Sequence, residues 1–388
     1  VSLPTVTCEI AFGDPTDTPV YTDVSAQHIS TRITRGRNHE LDRVEAAKCV
    51  TRLRDPDGYF DTTNLGSPYA GNVLPMRRMR VRGTWQGVTY DRFNGYIESY
   101  PRSWTPGPAG IAYVEIHAVD AFKVLALAKV STVRSAESSG ARVGAILDAI
   151  GWPAADRAID TGLSTVQAVT YVDQPALTAL QAVEATEGGI LFVSRDGKIT
   201  FLDRTKPITV ALDDVNLTWG DSGLEKDYLE LTTSFDDSQI WNDVKVTAPG
   251  NADGTAEDLT SQDRFFRRTL VQSTFHEDEN EQQSKAEYLV TRFSEPALRI
   301  TTLDLSSARG QDIQWPHILP RELHDKVRAR KTSVGGGTIS QDSFIEGSAE
   351  VIRQGAWDIV WNLSPLDRAT DYWIWGQSAW GVDTRWYW

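Results

Sequence analysis

Cysteine is nearly missing from this 388-residue chain, with Cys8 and Cys49 its only two. Two cysteines so far apart suit neither a disulfide scaffold nor a zinc knuckle. They read as reduced thiols buried in strands, where free cysteine behaves as a small hydrophobe. Long apolar runs are missing as well: no stretch of about 18 apolar residues occurs, so no membrane span is expected. The opening VSLPTVTCEIAFGDPTDTPV lacks the basic start and apolar core of a signal peptide, and the expectation is a protein made and used without Sec export. The six histidines include no HExxH pair, and His317 and His324 are separated by Pro320, so no zinc set emerges. Positive charge is in deficit: 39 Lys and Arg stand against 53 acidic residues, a net charge of -14. Ordinary nucleic-acid binders gain affinity by neutralising phosphates, so the charge argues against that class. An acidic chain suits a solvated surface, or a lumen to which passing DNA does not stick.

What is present is material for cores. The chain is 40% hydrophobic and 10% aromatic, and its length points to about two or three domains. The strongest pattern lies in residues 343–363, SFIEGSAEVIRQGAWDIVWNL. There a bend at Arg353-Gln354-Gly355 separates two strands, and Trp357, Ile359, Trp361 and Leu363 alternate with Ala356, Asp358, Val360 and Asn362. Period two puts the first set on one face, which must be buried. Residues 94–119 repeat this logic: Gly95 to Ser99 leads through SWTPGPAG into a return strand at 111–117. Two similar hairpins predict two similar small β-domains.

Residues 6–50 are strand-like and broken by turns, and 46–53 reads as a strand closed by Asp55-Pro56-Asp57-Gly58. After a loop, FDTTNLGSPYAGNVLP, Met79, Val81, Gly83 and Trp85 alternate with Arg80, Arg82 and Thr84. Gln86-Gly87 turns this strand into another at 88–100, which makes 1–122 an all-β barrel or sandwich. Residues 123–215 change character: AFKVLALAKV and ARVGAILDAIGWP read as helices. A third helix follows Pro175, carries Leu177, Leu180 and Val183 on one face, and ends at Gly188-Gly189. Strands at 190–193 and 198–202 close a hairpin around Arg195-Asp196-Gly197. β character returns over 216–365, through YLELTTSFDD, IWNDVKVTAP and RFFRRTLVQSTF. A helix at 281–293 is inserted there, and SVGGGTIS at 333–340 is a loop leading to the last hairpin. The expected fold class is mainly β with an α+β middle: two related small β-barrel domains plus a helix-hairpin domain, with 366–388 as a C-terminal interaction segment.

Catalytic patterns are weak. Gly220-Asp221-Ser222-Gly223 matches the residues around a trypsin-like nucleophile, but His28, His39 and His117 lack the surroundings of its general base, and a turn explains the motif more simply. Asp55, Asp57 and Asp61 mimic a calcium loop without its bidentate Glu. Gly335-Gly336-Gly337 lacks the Lys-Ser/Thr of a phosphate loop. Glu98 with Glu115, or Glu346 with Glu350, are carboxylate pairs of the kind a glycosidase uses, and such pairs are common by chance in so acidic a chain. The expectation is no enzyme, no cofactor and no metal.

Four segments in order carry a resemblance. VRGTWQGVTYDRFNGYIESY, then ALTALQAVEATEGGILFVSRDGKITFLDR, then IWNDVKV with EYLVTRFSEPALRITTLDL, and last SFIEGSAEVIRQGAWDIVWNLSPL resemble the successive parts of tail-hub proteins of long-tailed bacteriophages, also labelled baseplate hub or minor tail proteins. The ending WGQSAWGVDTR is similar to one common in phages of actinobacteria. The resemblance implies a phage tail-hub-like fold and a structural virion protein at the tail tip, made in the host cytoplasm. It implies a homotrimer whose six β-barrels form a pseudo-sixfold ring, joining the tail tube to tip and fibre proteins and conducting DNA during ejection. Partners would be the distal tail protein or last tube ring, the tape-measure protein, other tail-tip or fibre proteins, and DNA only in transit. The alternative is a peripheral receptor- or carbohydrate-binding tail protein, and after it a tail-associated hydrolase. Trp373, Trp375, Trp380, Trp386 and Trp388 place five of 13 tryptophans in the last 16 residues. So much apolar area is the candidate interaction element, docking on a neighbour or folding back on its own second barrel.

Overall fold

A computed structural model describes residues 2–106, 111–205, 217–221, 223, 225–306 and 314–366. The first unit is built of β1 (Thr5–Ala11), β2 (Tyr21–Asp23), β3 (His28–Gly36), β4 (Glu45–Arg54), β5 (Arg78–Trp85), β6 (Val88–Ser99), β7 (Arg102–Trp104) and β8 (Ala112–Val119). Burial in β5 alternates strictly, with Met79, Val81, Gly83 and Trp85 inside, as period two requires. Cys8 and Cys49 are free, buried thiols on β1 and β4. Burial pushes the Cys8 thiol up to about 12, which makes it inert.

The middle unit holds α1 (Phe122–Leu127), β9 (Lys129–Arg134), β10 (Glu137–Ser138), α2 (Ser139–Ala149), β11 (Arg157–Ile159), β12 (Thr165–Val166), β13 (Val169–Pro175), α3 (Ala176–Glu187), β14 (Ile190–Val193) and β15 (Ile199–Leu202). The helix expected over AFKVLALAKV stops at Leu127. From Lys129 the chain becomes a strand, because Val130, Thr132 and Val133 pair with β13 and β-branched residues fit a pleated surface. Gly188, at φ 71°, ends α3 as its left-handed cap.

The last unit comprises β16 (Thr218–Trp219), β17 (Glu230–Ser234), β18 (Asp243–Thr247), β19 (Gly254–Glu257), α4 (Leu259–Phe265), β20 (Thr269–Ser273), α5 (Glu279–Phe293), β21 (Arg299–Asp304), α6 (Trp315–Ile318), β22 (Lys326–Thr332), β23 (Thr338–Arg353) and β24 (Ala356–Pro365). Two expectations change here. RFF ends a helix rather than starting a strand, since Asp258 accepts the Ser261 N–H and caps α4. The 333–340 loop is shorter than read, because β23 already pairs with β22 from Thr338.

The two β-units are not separate. A single 14-stranded sheet runs in the order β17-β21-β24-β23-β3-β4-β8-β6-β5-β1-β2, with β22, β16 and β7 attached to its sides. Both expected hairpins are antiparallel pairs within it, β6 with β8 and β23 with β24. The seam is the pairing of β3 with β23, from Gly36 opposite Gly347 to Ser30 opposite Arg353. A Cβ on Gly36 would lie 2.2 Å from the Glu346 carbonyl oxygen, and its φ of +87° also calls for glycine. No closed barrel is found among the described residues. The sheet instead curls: Gly83 of β5 lies against Trp357 of β24, although β3, β4, β8, β6 and β23 intervene along the sheet. One core cluster runs through all three units, and a smaller one packs α5 on β18 with Val244, Val246, Ala286, Leu289 and Phe293.

Candidate functional site

Where the curled sheet meets the middle unit, charged side chains are buried. Arg92 occupies a bulge of β6: Val81 and Arg82 of β5 face Phe93 and Asp91, which leaves Arg92 unpaired in the ladder and turned inward. Its Nε donates to Glu350 Oε2 of β23 at 3.0 Å, its Nη2 donates to Oε1, and both side chains are fully buried. Its Nη1 donates to the Leu319 carbonyl at 2.5 Å. Trp357 adds an Nε1 donor to Glu350 at 3.3 Å. Arg195, from the turn of the β14–β15 hairpin, donates Nη1 to the same Leu319 carbonyl at 2.8 Å and its backbone N–H to Glu322 Oε2 at 2.8 Å. Arg35 of β3 pairs with Glu322 at 2.8 Å and donates to the Val193 carbonyl at 2.7 Å.

The junction therefore ties Arg35 and Arg92 of the first unit, Arg195 of the middle unit, and Glu322 and Glu350 of the last. Burial opposes ionisation of Glu350, but the Arg92 guanidinium outweighs it and holds the carboxyl below the usual glutamate range. Glu322 is held down in the same way by Arg35 and Arg195 against burial. Burial, and then the neighbouring Arg92 charge, lower Arg195 to about 9. A carboxylate neutralised by a buried guanidinium is a poor proton carrier near neutral pH, so the arrangement acts mechanically, as a lock between units.

Two further ties reinforce it. At the seam, Arg37 Nε donates to Glu346 Oε2 at 2.6 Å, and Arg292 of α5 pairs with Glu40 at 2.6 Å. Within the middle unit, Glu187 Oε2 accepts from Ser139 Oγ at 2.7 Å and from the Ser164 N–H at 2.9 Å, and Arg204 pairs with Glu281 of α5 at 2.8 Å. Lys285 of α5 donates Nζ to the Ala185 carbonyl, and burial, aided by Arg204, lowers it to about 7.

The sequence candidates fall as follows. Glu346 and Glu350 each face an arginine, Glu98 pairs with Lys123, and Glu115 lies 4.0 Å from Arg52 and 3.7 Å from His117. Asp221 of the GDSG turn binds Lys331 at 2.9 Å, and Ser222 lies outside the described residues. His28 bonds Thr31 at 2.9 Å and His39 faces Asp42 at 3.4 Å, so neither has a catalytic carboxylate–serine setting. Arg102 bridges Asp55 at 3.2 Å and Asp61 at 2.6 Å, supplying the positive charge a calcium ion would bring. Among the described residues no group of three or more His, Cys, Asp or Glu is placed to hold a metal ion. His317 lies in α6, whereas His324 is stacked on Phe344 at 4.1 Å, so they share no helix.

A whole-chain likeness accompanies this architecture. The 43 kDa tail protein of prophage MuSo2 from Shewanella oneidensis superposes with a TM-score of 0.61 at 10% identity, over 94% of this chain and 98% of that one. The tail protein from Neisseria meningitidis MC58 gives 0.61 at 12% identity, over 93% and 96%. A chain of the lidded Francisella PdpA-VgrG complex gives 0.51 at 10% identity, over 93% of this chain and 52% of that one. The fold is that of phage tail proteins. No protein-family model and no curated protein matches by sequence.

Trp373, Trp375, Trp380, Trp386 and Trp388, the expected interaction element, lie outside the described residues, as does the ending WGQSAWGVDTR behind the expectation of an actinobacterial host. The residues that do join the units, Arg35, Arg92, Arg195 and Glu322, carried no motif. Their one signal was charge at inward positions of otherwise apolar strands and in a tight turn.

Proposed function

We propose that this chain is a structural tail protein that forms a trimeric, pseudo-sixfold hub at the phage tail tip. In this reading each chain contributes two β-units to one ring, joins the tail tube to tip and fibre proteins, and leaves a channel through which DNA passes during ejection. The observation that carries it is the fusion of both β-units into one sheet, riveted by Arg92–Glu350 and Arg37–Glu346. A ring member that transmits load between a tube and a tip needs its two units fixed relative to each other, and a shared sheet with buried ion pairs does this. The tail-protein fold over 94% of the chain supports the same reading. Exposed apolar side chains at Trp104, Val133, Val172, Phe235 and Phe266 offer contact area for neighbours, and residues 373–388 would add theirs. The chain would work as a scaffold without a catalytic step, its homotrimer contacting the distal tail protein or last tube ring, the tape-measure protein and the tip or fibre proteins.

Cryo-electron microscopy of intact tails tests this. Three copies around the axis, each giving both β-units to one ring, is the expected result. Copies at off-axis fibre positions would overturn the hub and make the chain an adsorption protein.

A further inference from the structure

At the Ser30–Arg353 end of the seam, the tip of the β23–β24 hairpin faces the start of β1 across a groove of about 770 Å³. That volume is in the range of ligand and peptide sites. Its composition runs against that of the chain. The protein carries a net charge of -14, yet none of the described lining residues is Asp or Glu, while Arg52, Arg54 and Arg353 all line it. Val6, Ile29 and Ile352 give it an apolar part.

The arginines are under-used. Arg54 is exposed and has no carboxylate partner among the described residues. Arg52 reaches Glu115 only at 4.0 Å, and its Nε is buried without an acceptor. Arg353 has Asp358 at 3.2 Å, outside the lining, with its side chain 59% exposed. The backbone offers a second kind of partner. Cys8 donates its N–H to Ser25 Oγ at 2.7 Å and accepts the Val24 N–H at 2.9 Å, so its peptide groups face away from β5. Two residues earlier, Val6 faces the same way. Pairing with β2 begins only at Glu9, which leaves the Val6 edge of β1 without a neighbouring strand among the described residues.

We propose that this groove binds an extended acidic segment of a partner protein, laid beside the start of β1 as a short added strand with its carboxylates on Arg52, Arg54 and Arg353. Guanidinium forks match carboxylates in geometry, and an open strand edge supplies main-chain hydrogen bonds. A nucleic acid is disfavoured. Of the two aromatic rings among the described lining residues, Tyr113 is already covered by Arg52 at 4.6 Å and His28 is tied to Thr31 at 2.9 Å, so neither is free as a stacking platform for a base. The groove straddles the first and last units, so an occupant would reinforce the seam. This inference stands whether or not the chain forms a hub.

The test uses the full chain and a fluorescein-labelled peptide of alternating Glu and Val, read by anisotropy. Saturable binding is expected, weaker by about tenfold or more in Arg54→Glu/Arg353→Glu, and weakened by salt as solvent-facing charge pairs are. Both side chains are exposed, so the melting temperature of the variant should match the parent. If it does not, Arg54→Gln replaces it, with a loss of about two- to fivefold expected. An N-methylated peptide, which cannot donate to β1, should bind less tightly. Absence of peptide binding, binding indifferent to both arginine variants, or tighter binding of a single-stranded oligonucleotide of equal length would each overturn the proposal.

Discussion

Replacing Arg92 by Met should be among the most damaging single changes in the protein. The substitution keeps an unbranched side chain of similar reach but leaves the Glu350 carboxylate fully buried, with the Trp357 indole N–H as a remaining donor. Breaking one side of a buried ion pair costs about 3–5 kcal/mol, because the other charge stays desolvated. Removing both, in Arg92→Met/Glu350→Met, abolishes that penalty and should return stability to within about 1 kcal/mol of the parent. Each single change should cost about 3–5 kcal/mol and the double about 1 or less, so the coupling energy in a double-mutant cycle is expected to be close to the sum of the two single costs, about 5–10 kcal/mol. Urea unfolding followed by tryptophan fluorescence is a suitable assay, since Trp219, Trp315, Trp357 and Trp361 are all fully buried. The pH dependence gives a second reading. In the parent, Glu350 has a folded pKa below its unfolded one, so its contribution is complete above the unfolded value and is lost as pH falls through the folded value. In Arg92→Met the carboxyl loses its hydrogen-bonded cation and keeps only the Arg195 and Arg35 charges, so burial should dominate, its pKa should rise above the unfolded value and the sign should invert: acidification from pH 7 toward 5 should restore part of the lost stability. A cost below about 1 kcal/mol, or two single costs that simply add, would refute the lock.

Gly83→Ala would place a Cβ 2.6 Å from the rigid, buried ring of Trp357, and overpacking of this kind should lower stability by about 1–3 kcal/mol in the same urea assay. Lys285, lowered to about 7 in the folded chain, is penalised most at or below that pH; stability should rise above pH 7, by up to about 1.4 kcal/mol per unit, and Lys285→Met should abolish this slope in melts between pH 7 and 9. Deleting residues 373–388 should leave a folded protein by circular dichroism that no longer enters tails, and normal incorporation of the truncated chain would remove the tryptophan segment from the interface.

Local patterns were legible where a strand or helix shows one face to a core. Met79, Val81 and Trp85, the Trp357–Leu363 alternation, and Leu180 with Val183 on α3 all read correctly, because burial there follows a period of two or 3.6. Lys129–Arg134 misread because its Ala-Leu-rich lead-in favours helix, while pairing with β13 decides the outcome. Glu346 and Glu350 drew notice as carboxylates, but their arginines sit at positions 37 and 92, and no local window joins residues so distant. The merging of two β-units into one sheet was hidden for the same reason: β3 and β23 show ordinary strand patterns, and nothing in either names the other as partner. The groove is a surface property, assembled from five separated segments whose arginines look individually unremarkable.

The β3–β23 seam also sets a clock. A ribosome delivering this chain from its N-terminus releases β3 and β4 long before β23 exists, since 310 residues lie between Gly36 and its partner Gly347.

 Until then the free edge of β3 is an exposed template for pairing with other chains, and closure of so long a loop is slow. Synthesis at about 5–20 residues per second leaves that edge open for tens of seconds, a window that chaperones or early partners must cover. A strand made this late is thus the one that completes the first unit, so a chain truncated before β23 would lack more than its missing residues: its N-terminal sheet would have no finished edge at β3.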